Sequence, residues 1–176
     1  MVNAHLLSMY KRFFLALITI MLVCVSAKAQ IKPVIKKIHA YRQGTVKGIP
    51  PAGNDERKPT YNYWIYIETS AKISVADIWI SGKRFSVKTE PITKTPVLKI
   101  NYNAPGGTDS IILVPETKYK VMLIYPSGKI KDSAIGSKYV SGLIKKSELV
   151  IGYFWKGKKY FAPVKAFTSL DPDISQ

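Results

Sequence analysis

One cysteine, two histidines and eleven acidic residues are all that this 176-residue chain holds of the side chains most used for thiol, imidazole and carboxylate chemistry. Cys24 and His5 both fall in an N-terminal segment that reads as a leader, so a processed chain has no thiol and one imidazole. Absence of thiol excludes disulfides, thiolate nucleophiles and cysteine-based zinc or iron–sulfur sites. His39 remains, and on a strand from Val34 to Gln43 it shares a face with Ile35, Lys37 and Tyr41. Imidazole catalysis needs a second group within hydrogen-bond reach, and the local sequence supplies none, so His39 reads as a structural or surface residue. The spacing Gly152 to Lys158 matches a phosphate loop in outline, but Tyr153-Phe154-Trp155 is strand-like and Lys159 stands where a Ser or Thr should hold magnesium. No catalytic residue, metal site or cofactor is expected.

Residues 1–29 have the three parts of an export signal: a leader ending in Lys11-Arg12, an apolar run from Phe13 to Val25, and Ala27 and Ala29 flanking Lys28. Cleavage is expected between Ala29 and Gln30. The apolar run falls short of the roughly 18–20 residues a permanent membrane helix needs, which argues against a retained anchor. Lipidation at Cys24 is disfavoured because Val23 precedes it where a small residue is required. The expected product, residues 30–176, is one exported domain, periplasmic or secreted.

Acids are outnumbered by basic residues, 11 to 27, and none precedes Asp55. Loss of residues 1–29 removes Lys11, Arg12 and Lys28, lowering the formal charge from +16 to +13. Outside the cytoplasm such an excess favours lipid headgroups or acidic polysaccharide over nucleic acid, by an attraction that salt would screen. The lysines are dispersed in pairs and singles, such as Lys36-Lys37, Lys145-Lys146 and Lys158-Lys159, a pattern that is usually an ordinary solvated face.

What the chain does hold is period-two alternation of β-branched and aromatic residues broken by Gly and Pro. Strands are expected near 34–43, 61–69, 73–80, 83–90, 96–102, 109–114, 118–125, 149–155 and 159–167. This predicts a mainly β fold, an antiparallel β-sandwich of immunoglobulin-like or similar type. Val140, Leu143 and Ile144 stand at helical spacing and predict one short helix near 137–147, weakened by Gly142. Residues 48–59, with Pro50, Pro51 and Gly53, read as an exposed loop. Ser81-Gly82-Lys83, Ser127-Gly128-Lys129 and Lys156-Gly157-Lys158 read as tight turns, the first and last as hairpin tips. Pro163 places the last strand of that set at an edge or bulge.

Two groupings have functional shape. Glu68 and Asp77 would meet if the strands 61–69 and 73–80 formed a hairpin, giving the paired carboxylates of a glycan-acting enzyme. Trp64, Tyr66 and Trp79 are the candidate ligand-binding aromatics, suited as an exposed strip to stacking on sugar rings; cross-strand or core packing is the ordinary use of such residues. Asp109-Ser110-Ile111 and Asp132-Ser133-Ala134 resemble a three-residue O-glycosylation signal of exported bacterial proteins, and serve equally as turn sequences.

With Ala27-Lys28-Ala29, Tyr63-Trp64-Ile65-Tyr66-Ile67-Glu68-Thr69, Ile78-Trp79-Ile80-Ser81-Gly82-Lys83 and Trp155-Lys156-Gly157-Lys158, the chain resembles uncharacterised small exported β-rich proteins of Gram-negative bacteria. The resemblance implies export and one domain, and no activity. The functional expectation is a non-enzymatic binding or structural protein of the cell envelope, engaging a protein partner or an anionic glycan or lipid. A carbohydrate-binding module and a glycan-acting enzyme are the alternatives.

Overall fold

The computed structural model describes residues 33–47, 60–101, 109–130 and 138–175. The export signal expected at 1–29, the loop expected at 48–59 and Ser133 lie outside the described residues. Alternation in the sequence becomes ten strands: β1 (Ile35–Lys47), β2 (Thr60–Thr69), β3 (Ser74–Ile80), β4 (Lys83–Ile92), β5 (Val97–Asn101), β6 (Asp109–Val114), β7 (Lys120–Lys129), β8 (Leu149–Trp155), β9 (Lys158–Val164) and β10 (Thr168–Ser175). One helix, α1 (Lys138–Lys146), precedes β8. The fold is mainly β with a single short helix.

Eight strands form one sheet in the order β10-β1-β2-β7-β4-β3-β8-β9, and β5 and β6 form a separate two-stranded ribbon. Every neighbouring pair is antiparallel except β1 and β10, which run parallel. The sheet curls so that its two halves face each other. Ile65 and Ile67 on β2 share one buried cluster with Ile78 and Ile80 on β3 and Leu149 and Ile151 on β8. In a flat sheet β2 and β8, four places apart, would be separated by roughly 19 Å, too far for side chains to meet. The facing layers of the expected sandwich are therefore halves of one continuous sheet.

Outer faces are also apolar and carry their own covers. On β1, β2 and β7 the outward residues Tyr41, Tyr66, Val121 and Leu123 pack beneath Leu113 and Val114 of the ribbon. The Tyr41 hydroxyl donates to the Leu113 carbonyl at 2.7 Å. On β3 and β8 the outward residues Trp79 and Val150 pack beneath Val140, Leu143 and Ile144 of α1, so the helical spacing in the sequence marks a real apolar face.

Both hairpin tips form as expected. Ser81 and Gly82 have φ of 48° and 80°, and Lys156 and Gly157 have 49° and 73°, the paired positive values that a two-residue turn between twisted strands requires. Ser127-Gly128 is not a turn; it lies within β7, opposite the start of β4 beside a register shift at Ser86/Val87. Ser86 ties it in place, its hydroxyl donating to the Gly128 carbonyl at 3.2 Å. β10 lies beyond the last strand that the alternation predicts; its Asp171-Pro172-Asp173 has no strand pattern, yet the tail pairs along β1. Pro163 lies on β9, an edge strand, the position in a sheet where proline is tolerated.

Two glycines respond oppositely to the same added methyl. A Cβ on Gly152 would collide with Asp77 Oδ1 and stand 3.3 Å from the Trp79 ring and 3.4 Å from the Asp77 carbonyl. Asp77 is held by its other oxygen and has no room to yield, so Gly152→Ala is expected to destabilise the protein by about 2–4 kcal/mol. A Cβ on Gly142 of α1 would meet nothing within 4 Å. Gly142→Ala should stabilise by about 0.5–1 kcal/mol through helix propensity alone. Urea denaturation midpoints of the two variants check both signs.

Candidate functional site

Two polar constellations lie on the outward faces of the sheet. The first is built on Asp77, which β3 places opposite Gly152 of β8 and Ser86 of β4. Asp77 is 2 % exposed. Its Oδ2 accepts from both Nε (3.0 Å) and the terminal nitrogen of Arg84 on β4, and from Lys159 Nζ of β9 at 3.2 Å. Oδ1 is buried against Gly152 with no hydrogen-bond partner, as is Trp79 Nε1 beside it. Arg84 stacks over the Trp79 ring at 5.4 Å, and Lys159 stands 5.5 Å from Phe161, 5.8 Å from Phe154 and 6.0 Å from Trp79. One carboxylate thus anchors two cations that remain partly exposed. The arrangement can present positive charge to an anion. It does not offer a free carboxylate to a substrate.

The second joins His39 of β1, Glu68 of β2 and Thr117. Antiparallel pairing sets Lys37 opposite Glu68 and His39 one step along on the same face. His39 Nε2 lies 2.7 Å from Glu68 Oε1, and the Thr117 hydroxyl donates to Oε2 at 2.7 Å. The Tyr119 N–H in turn donates to the Thr117 oxygen at 3.2 Å. Burial acts to raise the Glu68 pKa. Hydrogen bonds from His39 and Thr117 and the charges of His39 and Lys37 outweigh it, and hold the carboxyl below its ordinary 4.5. Both oxygens are occupied, and the chain of contacts ties β1 and β2 to the segment after β6.

Glu68 and Asp77 do not form a pair. The expected hairpin between 61–69 and 73–80 is not made, because β2 is flanked by β1 and β7, and both β7 and β4 intervene before β3. Ser70 is drawn back to β1, its N–H donating to the Val34 carbonyl at 2.9 Å, while Ile73 plunges into the core. The chain crosses the curl between β2 and β3.

The aromatic strip is also not formed. Tyr66 is 4 % exposed under the ribbon, and burial, followed by the neighbouring phenols Tyr125 and Tyr41, pushes its hydroxyl up to about 12. Trp64 shares that face, half-buried, with the Lys99 ammonium 4.6 Å from its ring centroid. Trp79, 5 % exposed, lies under α1 in a different cluster. Strand alternation put apolar residues on both faces of β2 and β3, and the covers of the second face were not visible in those strands. Among the described residues no group of three or more His, Asp or Glu side chains is placed to hold a metal ion.

Glu68 and Asp77 are buried and Glu148 is half-buried, whereas Glu90, Glu116 and Asp171 are exposed among more numerous exposed lysines. Besides Glu68 and Asp77, Glu148 accepts from Arg42 at 3.3 Å and from the Phe167 N–H at 2.8 Å. Exposed lysines stand on β4 and β7 (Lys88, Lys129), on α1 (Lys145, Lys146) and at the β8–β9 tip (Lys156, Lys158). No protein-family model, curated protein or solved structure matches this chain.

The His39–Glu68–Thr117 link predicts a specific pH dependence. A carboxyl whose folded pKa lies below its unfolded value contributes stability that is present above the unfolded value and is lost as pH falls through the folded one. Glu68→Gln should therefore cost about 1–3 kcal/mol at neutral pH. The gap to wild type should close as the pH drops below the ordinary glutamate range, as followed by urea unfolding across that range.

Proposed function

We propose that this protein is exported, loses residues 1–29, and acts in the cell envelope as a non-enzymatic binding or structural protein that engages an anionic glycan or lipid surface. The observation that carries this reading is the engagement of Glu68, Asp77 and Glu148 by the protein's own side chains, against the exposure of lysines on β4, β7, α1 and the β8–β9 tip. After loss of residues 1–29 the formal charge is +13, and with Glu68 and Asp77 buried the exposed acids Glu90, Glu116 and Asp171 are outnumbered by exposed lysines, so the exterior carries an excess of positive charge. The leader and its Ala27-Lys28-Ala29 ending support export. Among the described residues no helix is long and apolar enough to cross a membrane. The non-enzymatic reading is supported by the state of the candidate carboxylates, which lie on separated strands with their oxygens engaged or enclosed. Burial of Tyr66 and Trp79 weighs against a sugar-stacking platform.

Two measurements test this reading. Protein recovered from an export-competent Gram-negative host should begin at Gln30 by N-terminal sequencing; an intact N-terminus would contradict export with cleavage. It should bind anionic vesicles or acidic polysaccharide beads with an affinity that falls steeply with salt. The variant Lys145→Gln/Lys146→Gln/Lys156→Gln/Lys158→Gln should bind about tenfold weaker or worse, at up to about 1 kcal/mol per lysine. Binding that neither salt nor these substitutions alters, or no binding, would overturn the anionic-surface reading.

A further inference from the structure

The β5–β6 ribbon is apolar on both faces, and one of them points away from the sheet. Leu98, Ile100 and Ile112 are 51 %, 47 % and 56 % exposed. Leu98 stands opposite Ile112 and Ile100 opposite Ser110, so the three aliphatic side chains share a face. The reverse face carries Ile111, packed on the outer cluster, and Lys99, over Trp64. Strands apolar on both faces are the pattern of strands covered on both sides, and clustered exposed aliphatics mark a contact surface.

Size and charge decide what covers it. Three half-exposed aliphatic side chains fall far short of the roughly 800 Å² per partner that a stable protein interface needs. A second copy would also bring two strongly basic molecules together. The segments that enter and leave the ribbon expose Lys94, Lys118 and Lys120, with Glu116 as an exposed acid beside them. A few aliphatic side chains among lysines match the boundary of an anionic bilayer, where headgroups receive the ammonium groups and the acyl boundary receives the aliphatics. Neither signal holds a protein firmly to a membrane alone, and together they reinforce each other.

We propose that the outward face of the β5–β6 ribbon, Leu98, Ile100 and Ile112, is a wedge that inserts into an anionic lipid surface. The proposal rests on the anionic-surface reading above and adds the lipid as partner and the place of contact. Exported wild type and Leu98→Ser/Ile100→Ser/Ile112→Ser, with the same N-terminus, are compared by co-sedimentation with phosphatidylcholine vesicles with or without about 30 % phosphatidylglycerol. Wild type should bind the anionic vesicles, and the variant, with unchanged thermal unfolding, should bind at least about tenfold weaker from the loss of aliphatic burial. Equal, salt-sensitive binding by both would overturn the wedge and leave the electrostatic reading standing. Binding by neither would overturn the wedge and the lipid as partner, and salt-sensitive capture by acidic polysaccharide beads would then show whether the anionic-surface reading stands. A wild-type dimer that the variant dissolves would overturn the proposal by assigning the face to a second copy. Should the triple variant fail to fold, Leu98→Trp serves instead: its added emission should shift to the blue and be quenched by acyl-brominated phosphatidylglycerol, and unquenched emission would overturn the wedge.

Discussion

A sheet with apolar side chains on both faces must be covered on both, and that requirement organises this molecule. The inner face is covered by curling: β1, β2 and β7 fold over β3, β8 and β9, and Ile65, Ile67, Ile78, Ile124, Leu149 and Ile151 close into one core. At roughly 25 cal/mol per Å² of apolar surface removed from water, such fully buried side chains contribute about 1.5–3 kcal/mol each. The outer face has separate covers at its two halves, the β5–β6 ribbon over Tyr66 and Leu123 and α1 over Trp79 and Val150. The ribbon, in covering one surface, presents another.

Placement of charge follows from the same packing. Three carboxylates lie where donors from neighbouring segments need partners: Asp77 under Arg84 and Lys159, Glu68 against His39, and Glu148 between Arg42 and the Phe167 backbone. Removing one partner of such a pair strands the other, so these contacts resist substitution even where they add little net stability. They fix register between strands distant in sequence. With three acids drawn into these roles and Glu90, Glu116 and Asp171 left exposed, lysines outnumber acids on the surface. A structural arrangement thereby sets the electrostatic character by which the molecule meets a partner.

Much of the fold was legible in the alternation of residues. Nine strands, the α1 segment and the tips at Ser81-Gly82 and Lys156-Gly157 follow from local patterns, since period and turn chemistry act over a few residues. β10 was hidden because Asp171-Pro172-Asp173 has no strand pattern of its own and is held by pairing with β1. Ser127-Gly128 misled for the converse reason: a turn dipeptide is overridden when β4 offers its backbone a partner. The site was less legible. Trp64, Tyr66 and Trp79 could be placed on faces, but which faces are covered depends on β6 and α1, remote in sequence. The His39–Glu68 contact could have been found by pairing the first two strands antiparallel, which sets Lys37 opposite Glu68. The Glu68–Asp77 hairpin does not form because β2 and β3, adjacent in sequence, are separated in the sheet by β7 and β4.

Hydrogen–deuterium exchange of the exported protein, with and without anionic vesicles, tests most directly the claim that covering the sheet leaves a lipid-seeking face. Protection on vesicle addition should concentrate in Val97–Asn101 and Asp109–Val114, with the core strands β2 and β8 already slow and unchanged. Protection confined to the β8–β9 tip or to α1, with the ribbon exchanging as before, would contradict it.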